Sequence, residues 1–493
     1  MSILFIQEKS DDKNNLTKIN PNLKKVNRKM IEWLLINNTK IHSLEINDNT
    51  SNRFVMTKQT ISKNDIILQV PFDMIISSIL VNKSEIVNLI KEKYIFRSSH
   101  SNYACFLLEE SLNPLSKWKC YLESLPDNYS TIPIYYDQKQ LDELEGSMTI
   151  KKINDKKMEL LMEYSSVIKA YPEFYRFSYE KFIYFRCVVI TRIFGFEIAR
   201  KNNPFNTALT IDDSEEKEKC DGLVPFADML NHKVEKDTSW YFDDETKCFT
   251  IKALKKIKMG YEVFDSYGRK CNSRFFVNYG FTLENNQQDN QALFIFNQSM
   301  FEGTTEFKNL DKKLLESKLL FLGFDKRQTI YDFQIPTEYN YETTQLMFST
   351  LRVLCSTIPE FKILINNKNL DRKKIEVISL SNEIKVLKLI NEIAQLALSK
   401  FKTTVKEDEI ILQDSSINIY LRNSVIMRKS EKEVLIFYIE LCTHYYYILT
   451  NIDKVPFGGN AVTSNKKLKK LNNKFKYATH DYAKRCINKF LKD

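Results

Sequence analysis

A chain of 493 residues with 43% apolar content is long enough for two or three domains with buried cores, and its 25 Tyr and 33 Phe argue against disorder. The net charge of +10 sits almost wholly at one end: from Lys454 onward eleven Lys/Arg face only Asp481 and Asp493, so the body is near neutral and a nucleic-acid surface is excluded outside that tail. Nine cysteines, an odd number with no C-x-x-C pair, argue against a disulfide scaffold and a zinc ribbon.

The N-terminus, MSILFIQEKSDDKNN, has neither the basic nor the apolar region of a secretory signal, and residues 1–24 read as a polar segment. An amphipathic helix follows, with Val26, Met30, Trp33, Leu34 and Leu35 near helical spacing. FVMTKQTISKNDIILQVPFDMIIS (54–77) holds two β-rich runs around the turn signal SKND and reads as a hairpin that stops at Pro71. Residues 79–200 read as mainly helical, through SNYACFLLEESL, DKKMELLMEYSSVIKAY and FIYFRCVVITRIFGF. Residues 203–222 read as a polar loop, including Asp212–Asp213. β character returns in LVPFADM, SWYFDD, CFTIKAL and YEVFDSY. Four more helical stretches, at 313–324, 343–355, 383–401 and 430–449, close the body. In the third, Ile384, Leu387, Ile390, Ala394, Ala397 and Phe401 form one core stripe. No run approaches the ~18 apolar residues of a membrane span. The expectation is a soluble monomer, cytoplasmic and/or nuclear, with no membrane partner and nucleic acid reachable only by the tail, where KKLKK (466–470) lies.

Common hydrolase and nucleotide signals are absent: there is no G-x-S-x-G, P-loop, G-x-G-x-x-G or H-E-x-x-H, and five scattered histidines predict no metal site. What stands out is Asn231–His232 at the end of an apolar run, LVPFADMLNH, with the SYG tripeptide containing Tyr267 about thirty-five residues on.

These segments resemble the SET-domain methyltransferases, in particular the subclass of Rubisco large-subunit lysine methyltransferase and actin-histidine methyltransferase. ADMLNH (227–232) is similar to the family's D-x-x-N-H, and GYEVFDSYG (260–268) to its G-E-Q-V-x-x-x-Y-G, with Asn272 and Tyr279–Gly280–Phe281 following. WKCYLESLP (118–126) resembles its W-x-x-Y-L-x-x-L-P, and the end of FIYFRCVVITRIF (182–194) its S-R-x-F. FLGFDKRQTIYDF (321–333) and TTVKEDEIIL (403–412) resemble its helical substrate-binding domain.

The resemblance implies an α+β fold: a SET domain of short strands over 25–290, with a helical insert at about 85–220, then an all-helical substrate-binding domain over 300–450 and a basic tail over 451–493. It implies an S-adenosylmethionine-dependent protein-lysine N-methyltransferase whose protein substrate is bound by the C-terminal helical domain. Tyr267 would be the catalytic phenol, also touching the cofactor. Asn231, His232, Thr191, Arg192 and Phe54 would bind the cofactor; Phe194, Ala227, Asp228 and Tyr279 would line the acceptor channel. An Arg in an apolar stretch also needs an anionic partner, which suits Arg192 to such a site.

Phe194 and Ala227 bear on the acceptor. The lysine-modifying relatives carry an aromatic at the first position; the histidine enzyme carries an asparagine there and a tryptophan at the second. An apolar tube suits a lysine stem, whereas an imidazole wants an amide partner. The sequence departs from the family at Ser51–Asn52–Arg53–Phe54–Val55, where a G-x-G is usual, and at Tyr261–Glu262, where the glutamate comes one place late. The alternatives are therefore a protein-histidine N-methyltransferase and a catalytically degenerate SET-fold binding module.

Overall fold

In a computed structural model, the described residues are 21–47, 53–92, 98–204, 216–287, 289–297, 304, 311–323, 330–336, 341–450 and 482. Residues 1–20 of the N-terminal segment, Ser51–Asn52, Asp212–Asp213, Phe324 and the basic tail apart from Tyr482 lie outside them. Two compact units result. The first comprises 1–136, 151–269 and 274–281; the second takes 137–150, 270–273 and 282–493.

The first unit is built from short strands around a helical insert. Helix Pro21–Ile36 buries Met30 and Leu34, while Leu35 faces solvent. An antiparallel sheet runs Lys40–Ile41, Ile66–Pro71, Cys248–Ala253 and Thr238–Asp243 in that spatial order. The two β runs expected to form a hairpin are strands, and the second ends at Pro71, but they do not pair with each other. Phe54–Thr57 pairs with Leu44–Asn47, and Ile66–Pro71 pairs with Lys40–Ile41 and Cys248–Ala253. A turn signal reverses the chain without choosing a partner, and longer-range pairing buries Leu68, Val70, Phe249 and Ile251 together.

The insert is mainly helical from Ser99 to Arg192, with turns and 3-10 segments between its helices. Helices Ser99–Leu112 and Tyr179–Arg192 pack on one another, capped by Ser98 and Ser178. The second helix ends earlier than its apolar spacing predicts: Ile193 turns to extended backbone, and Ile193–Ala199 is a strand. The apolar spacing in IFGF fits either period, and β-branching with Gly195 favours the strand. Its partner, Lys217–Leu223, occupies part of the expected polar loop and is the centre of a three-stranded sheet with Ile76–Ser77. LVPFADM keeps only Leu223 in a strand; Ala227–Met229 is a 3-10 turn.

Among its described residues the second unit is helical, with one antiparallel ribbon, Gln291–Asn297 against Ile330–Pro336. The strand Ile330–Pro336 covers the end of FLGFDKRQTIYDF, which was expected in a helical domain. Helices Leu380–Leu398 and Ile419–Thr450 form its spine, and Leu387, Ile390 and Ala394 are buried as the stripe predicts. TTVKEDEIIL folds as helix Val405–Gln413, opened by a capping box between Thr404 and Glu407. Arg352 binds Glu383 through two 2.8 Å hydrogen bonds in this core. Tyr482 reaches the same carboxylate at 2.7 Å and stacks on Tyr445.

Candidate active site

The chain enters the site through an unfavourable turn. Leu223 closes its strand, and Phe226 takes φ 72° and ψ −45°, a left-handed conformation that a bulky residue adopts only at a cost. That reversal starts the turn Ala227–Met229 and delivers Asn231–His232 as a two-residue strand. This strand pairs in parallel with Phe264–Asp265, in the register Asn231 to Phe264 and His232 to Asp265. The pairing brings the two distant motifs together, because Tyr267 follows Asp265 by two residues.

The contact between the motifs is specific. The Tyr267 backbone N–H donates to His232 Nδ1 at 3.0 Å. A backbone amide is only ever a donor, so His232 presents Nδ1 as an acceptor. The two rings lie 5.2 Å apart, and Phe275 and Phe281 complete an aromatic box around the imidazole. Tyr279 stacks on Tyr267 at 5.2 Å and 22°. The Tyr267 hydroxyl donates to the Leu230 carbonyl at 3.0 Å. Burial, as the first cause, pushes its phenol far above the ordinary tyrosine range, so the group is neutral. Gly280 closes the box at φ +76°; a Cβ there would stand 2.5 Å from Thr131 Oγ1 and 2.8 Å from the Thr131 carbonyl carbon.

Asn231 is pinned by its amide nitrogen, which donates to Glu262 Oε1 at 2.8 Å and to the Arg53 carbonyl at 3.4 Å. Burial raises the Glu262 carboxyl above its ordinary value, and the Asn231 hydrogen bond opposes that rise.

Phe54 heads the strand Phe54–Thr57 and is half-buried. Among the described residues neither Arg53 nor Phe54 has a positive φ, so this stretch needs no glycine angles. The Arg53 guanidinium instead closes the corner, donating to Ser124 O at 2.7 Å and to Asn27 Oδ1 at 3.3 Å.

Arg192 and Asp228 form an ion pair that is almost fully buried, with Nη1 to Oδ2 at 2.9 Å and to the Asp228 carbonyl at 3.1 Å. Tyr129 accepts from Arg192 Nε at 3.2 Å, and Tyr121 donates to Asp228 Oδ2 at 2.8 Å. The anionic partner that Arg192 requires is thus supplied from within the chain. The pair lies near enough to Tyr267 to act on its phenol electrostatically. Thr191 donates back along its own helix to Cys187 O at 2.7 Å, leaving its oxygen as an acceptor. Phe194 packs edge-on to Trp240 at 5.6 Å and to Phe249 at 5.2 Å. Ala227 is fully buried.

The structure therefore gathers Asn231, His232, Tyr267 and Tyr279, joins Arg192 to Asp228 beside them, and sets Phe194 among packed aromatics. Four contributors had gone unassigned: Arg53, Tyr121, Tyr129 and Glu262. Tyr121 is the tyrosine of WKCYLESLP, so a motif marked it; Glu262 is signalled only by its displaced acid. A separate cleft of about 720 Å³ opens in the insert, and among these groups only Tyr129 lines it.

The SET domain family model matches residues 52–268, and the Rubisco LSMT substrate-binding family model matches residues 309–435. The chain is similar to actin-histidine N-methyltransferases: it is 24% identical to that of Papio anubis and 23% to that of Homo sapiens, each over 431 residues. Both alignments cover 82% of this chain and 66% of the relative, so the chain spans about two thirds of these relatives' length. The fold is similar to a solved SET domain of LSMT bound to lysine and AdoHcy, with TM-score 0.68 and 22% identity over 87% of this chain and 93% of that one. It is also similar to Rubisco LSMT bound to AdoMet, with TM-score 0.66 and 22% identity over 86% and 93%.

Proposed function

From a chain that carries a SET domain followed by a Rubisco LSMT-type substrate-binding domain, we propose an S-adenosylmethionine-dependent protein methyltransferase acting on lysine. The observation that carries this reading is the union of the two motifs, with the Tyr267 N–H on His232 Nδ1 and the Tyr267 hydroxyl on the Leu230 carbonyl.

The donor set suits the cofactor. Asn231 and His232 would hold it, the first through Oδ1, to which no described residue donates a hydrogen bond. When bound, the cofactor supplies a methyl on a sulfonium, and the C–S bond breaks as the N–C bond forms. The chain's own part is positioning. The Tyr267 proton is held by Leu230, so the phenol oxygen faces the site as an acceptor and can take an N–H of a neutral amine. A lysine ammonium, with an ordinary pKa of about 10.4, must lose its proton before attack, and an aromatic, half-buried site disfavours the charged form. The second unit is the surface that would select the protein substrate.

Lysine is favoured at two positions. Phe194 sits among Trp240 and Phe249 and offers an imidazole no hydrogen-bonding group. Ala227 adds no aromatic wall. Histidine is the second reading, favoured by the actin-histidine N-methyltransferases among the relatives. Incubation with methyl-labelled S-adenosylmethionine and a host lysate, followed by mass spectrometry, is expected to find the label on lysine. Label on histidine Nτ or Nπ alone reverses the acceptor, and no transfer to any protein removes the enzymatic reading.

A further inference from the structure

Glu262 stands where the sequence pattern departs from its expected form, and the structure gives it a task. Residues 261–263 are locked beside the strand Phe54–Thr57: Thr57 N donates to Tyr261 O at 3.0 Å, Val263 N donates to Val55 O at 2.8 Å, and Met56 bridges Glu262. That register points the Glu262 carboxylate at Asn231 Nδ2, 2.8 Å away, while the exposed Tyr261 holds the place of the usual glutamate.

A carboxamide can turn over, exchanging its oxygen and nitrogen at little steric cost. At Asn231 it cannot. Both neighbours on one side, the Glu262 carboxylate and the Arg53 carbonyl, only accept hydrogen bonds, so the NH2 must face them and Oδ1 must face the opposite way. Asn231 is 7% exposed, and no described residue donates to that oxygen. A neutral amide at 262 would not impose this, because it can either donate or accept.

We propose that Glu262 is a positioning residue which fixes the Asn231 amide so that Oδ1 receives the α-ammonium of the S-adenosyl cofactor. This rests on the methyltransferase reading of the site. Glu262 touches neither the methyl nor the acceptor; it acts through Asn231.

The test compares two ligands by calorimetry: S-adenosylhomocysteine, which carries the α-amine, and methylthioadenosine, which shares the nucleoside but lacks the amino-acid end. Glu262→Leu is expected to weaken the first by about tenfold and the second by less than about twofold, with Asn231→Ala setting the full loss. Glu262→Gln, which keeps an acceptor but permits the turned amide, is expected to fall between wild type and Leu for S-adenosylhomocysteine alone. It also serves if Glu262→Leu does not fold. Equal losses for both ligands would make Glu262 merely structural, and unchanged affinities would remove the role altogether. Wild-type protein that binds neither ligand would overturn the methyltransferase reading itself, and the inference with it.

Discussion

The Tyr267 hydroxyl has one proton, and the Leu230 carbonyl takes it as a hydrogen bond. The ring is held independently, by stacking on Tyr279 and by the backbone amide on His232. Removing the oxygen alone should therefore spare the pocket. Tyr267→Phe is expected to lower kcat by about a hundredfold or more, as for loss of a polar group acting at the reacting atoms, with cofactor affinity unchanged within a few-fold. Single-turnover rates and a calorimetric Kd separate the two; a collapse of affinity would make the phenol a packing residue. Asn231, His232 and Tyr267, which the fold brings together, stood out as candidates because each sits in a short pattern of polar residues at the end of an apolar run. Arg53 and Glu262 were not, because their partners, Ser124 and Asn231, lie 71 and 31 residues away.

Elements were legible where periodicity was long and uninterrupted. Helices Ser99–Leu112, Thr149–Ala170 and Leu380–Leu398 repeat their apolar residues over several turns, and tertiary packing had nothing to overrule. Short strands carried too few residues to declare a partner. Phe54–Thr57 and Ile66–Pro71 joined different sheets, and Lys217–Leu223 hid in a charged stretch because only Cys220, Gly222 and Leu223, at its end, are buried. The segment after helix Asn272–Tyr279 turns at Gly280, whose positive φ and lack of a Cβ allow contact with Thr131 and Ile132. Gly280→Ala combines backbone strain with overpacking and is expected to destabilise by about 2–3 kcal/mol in denaturant titration. A loss below about 0.5 kcal/mol would mean that the neighbouring segment shifts freely.

Among the described residues, two histidines link stability to acid. Burial holds His444 at about 4, and burial together with the Arg186 charge holds His100 at about 4. Both values lie below that of the unfolded chain, so the unfolded state binds the extra protons and stability falls as pH drops from 6.5 toward 4. For the fully buried His444 the loss is about 2 kcal/mol by pH 5. Thermal melts at pH 7 and pH 5 should show a smaller acid-induced drop in Tm for His444→Gln than for wild type. An equal drop would show that His444 does not titrate across unfolding. Glu163, Glu262 and Asp265 have raised values and act in the opposite sense, which is why the difference between variants is the informative quantity.

By itself the order of residues determined the α+β class, the helical stretches, the near-neutral body with a basic tail, and the three polar residues around which a methyl-transfer site would form. These are local properties: hydrophobic period, charge and short spacing are carried by neighbours in the chain. Tertiary structure alone decided which strands pair, that Arg192 takes its counter-charge from Asp228, and which way the Asn231 amide faces. Each of those depends on where a second segment, tens of residues away, comes to rest, and a hydrogen bond formed over a few ångströms leaves no period in the sequence.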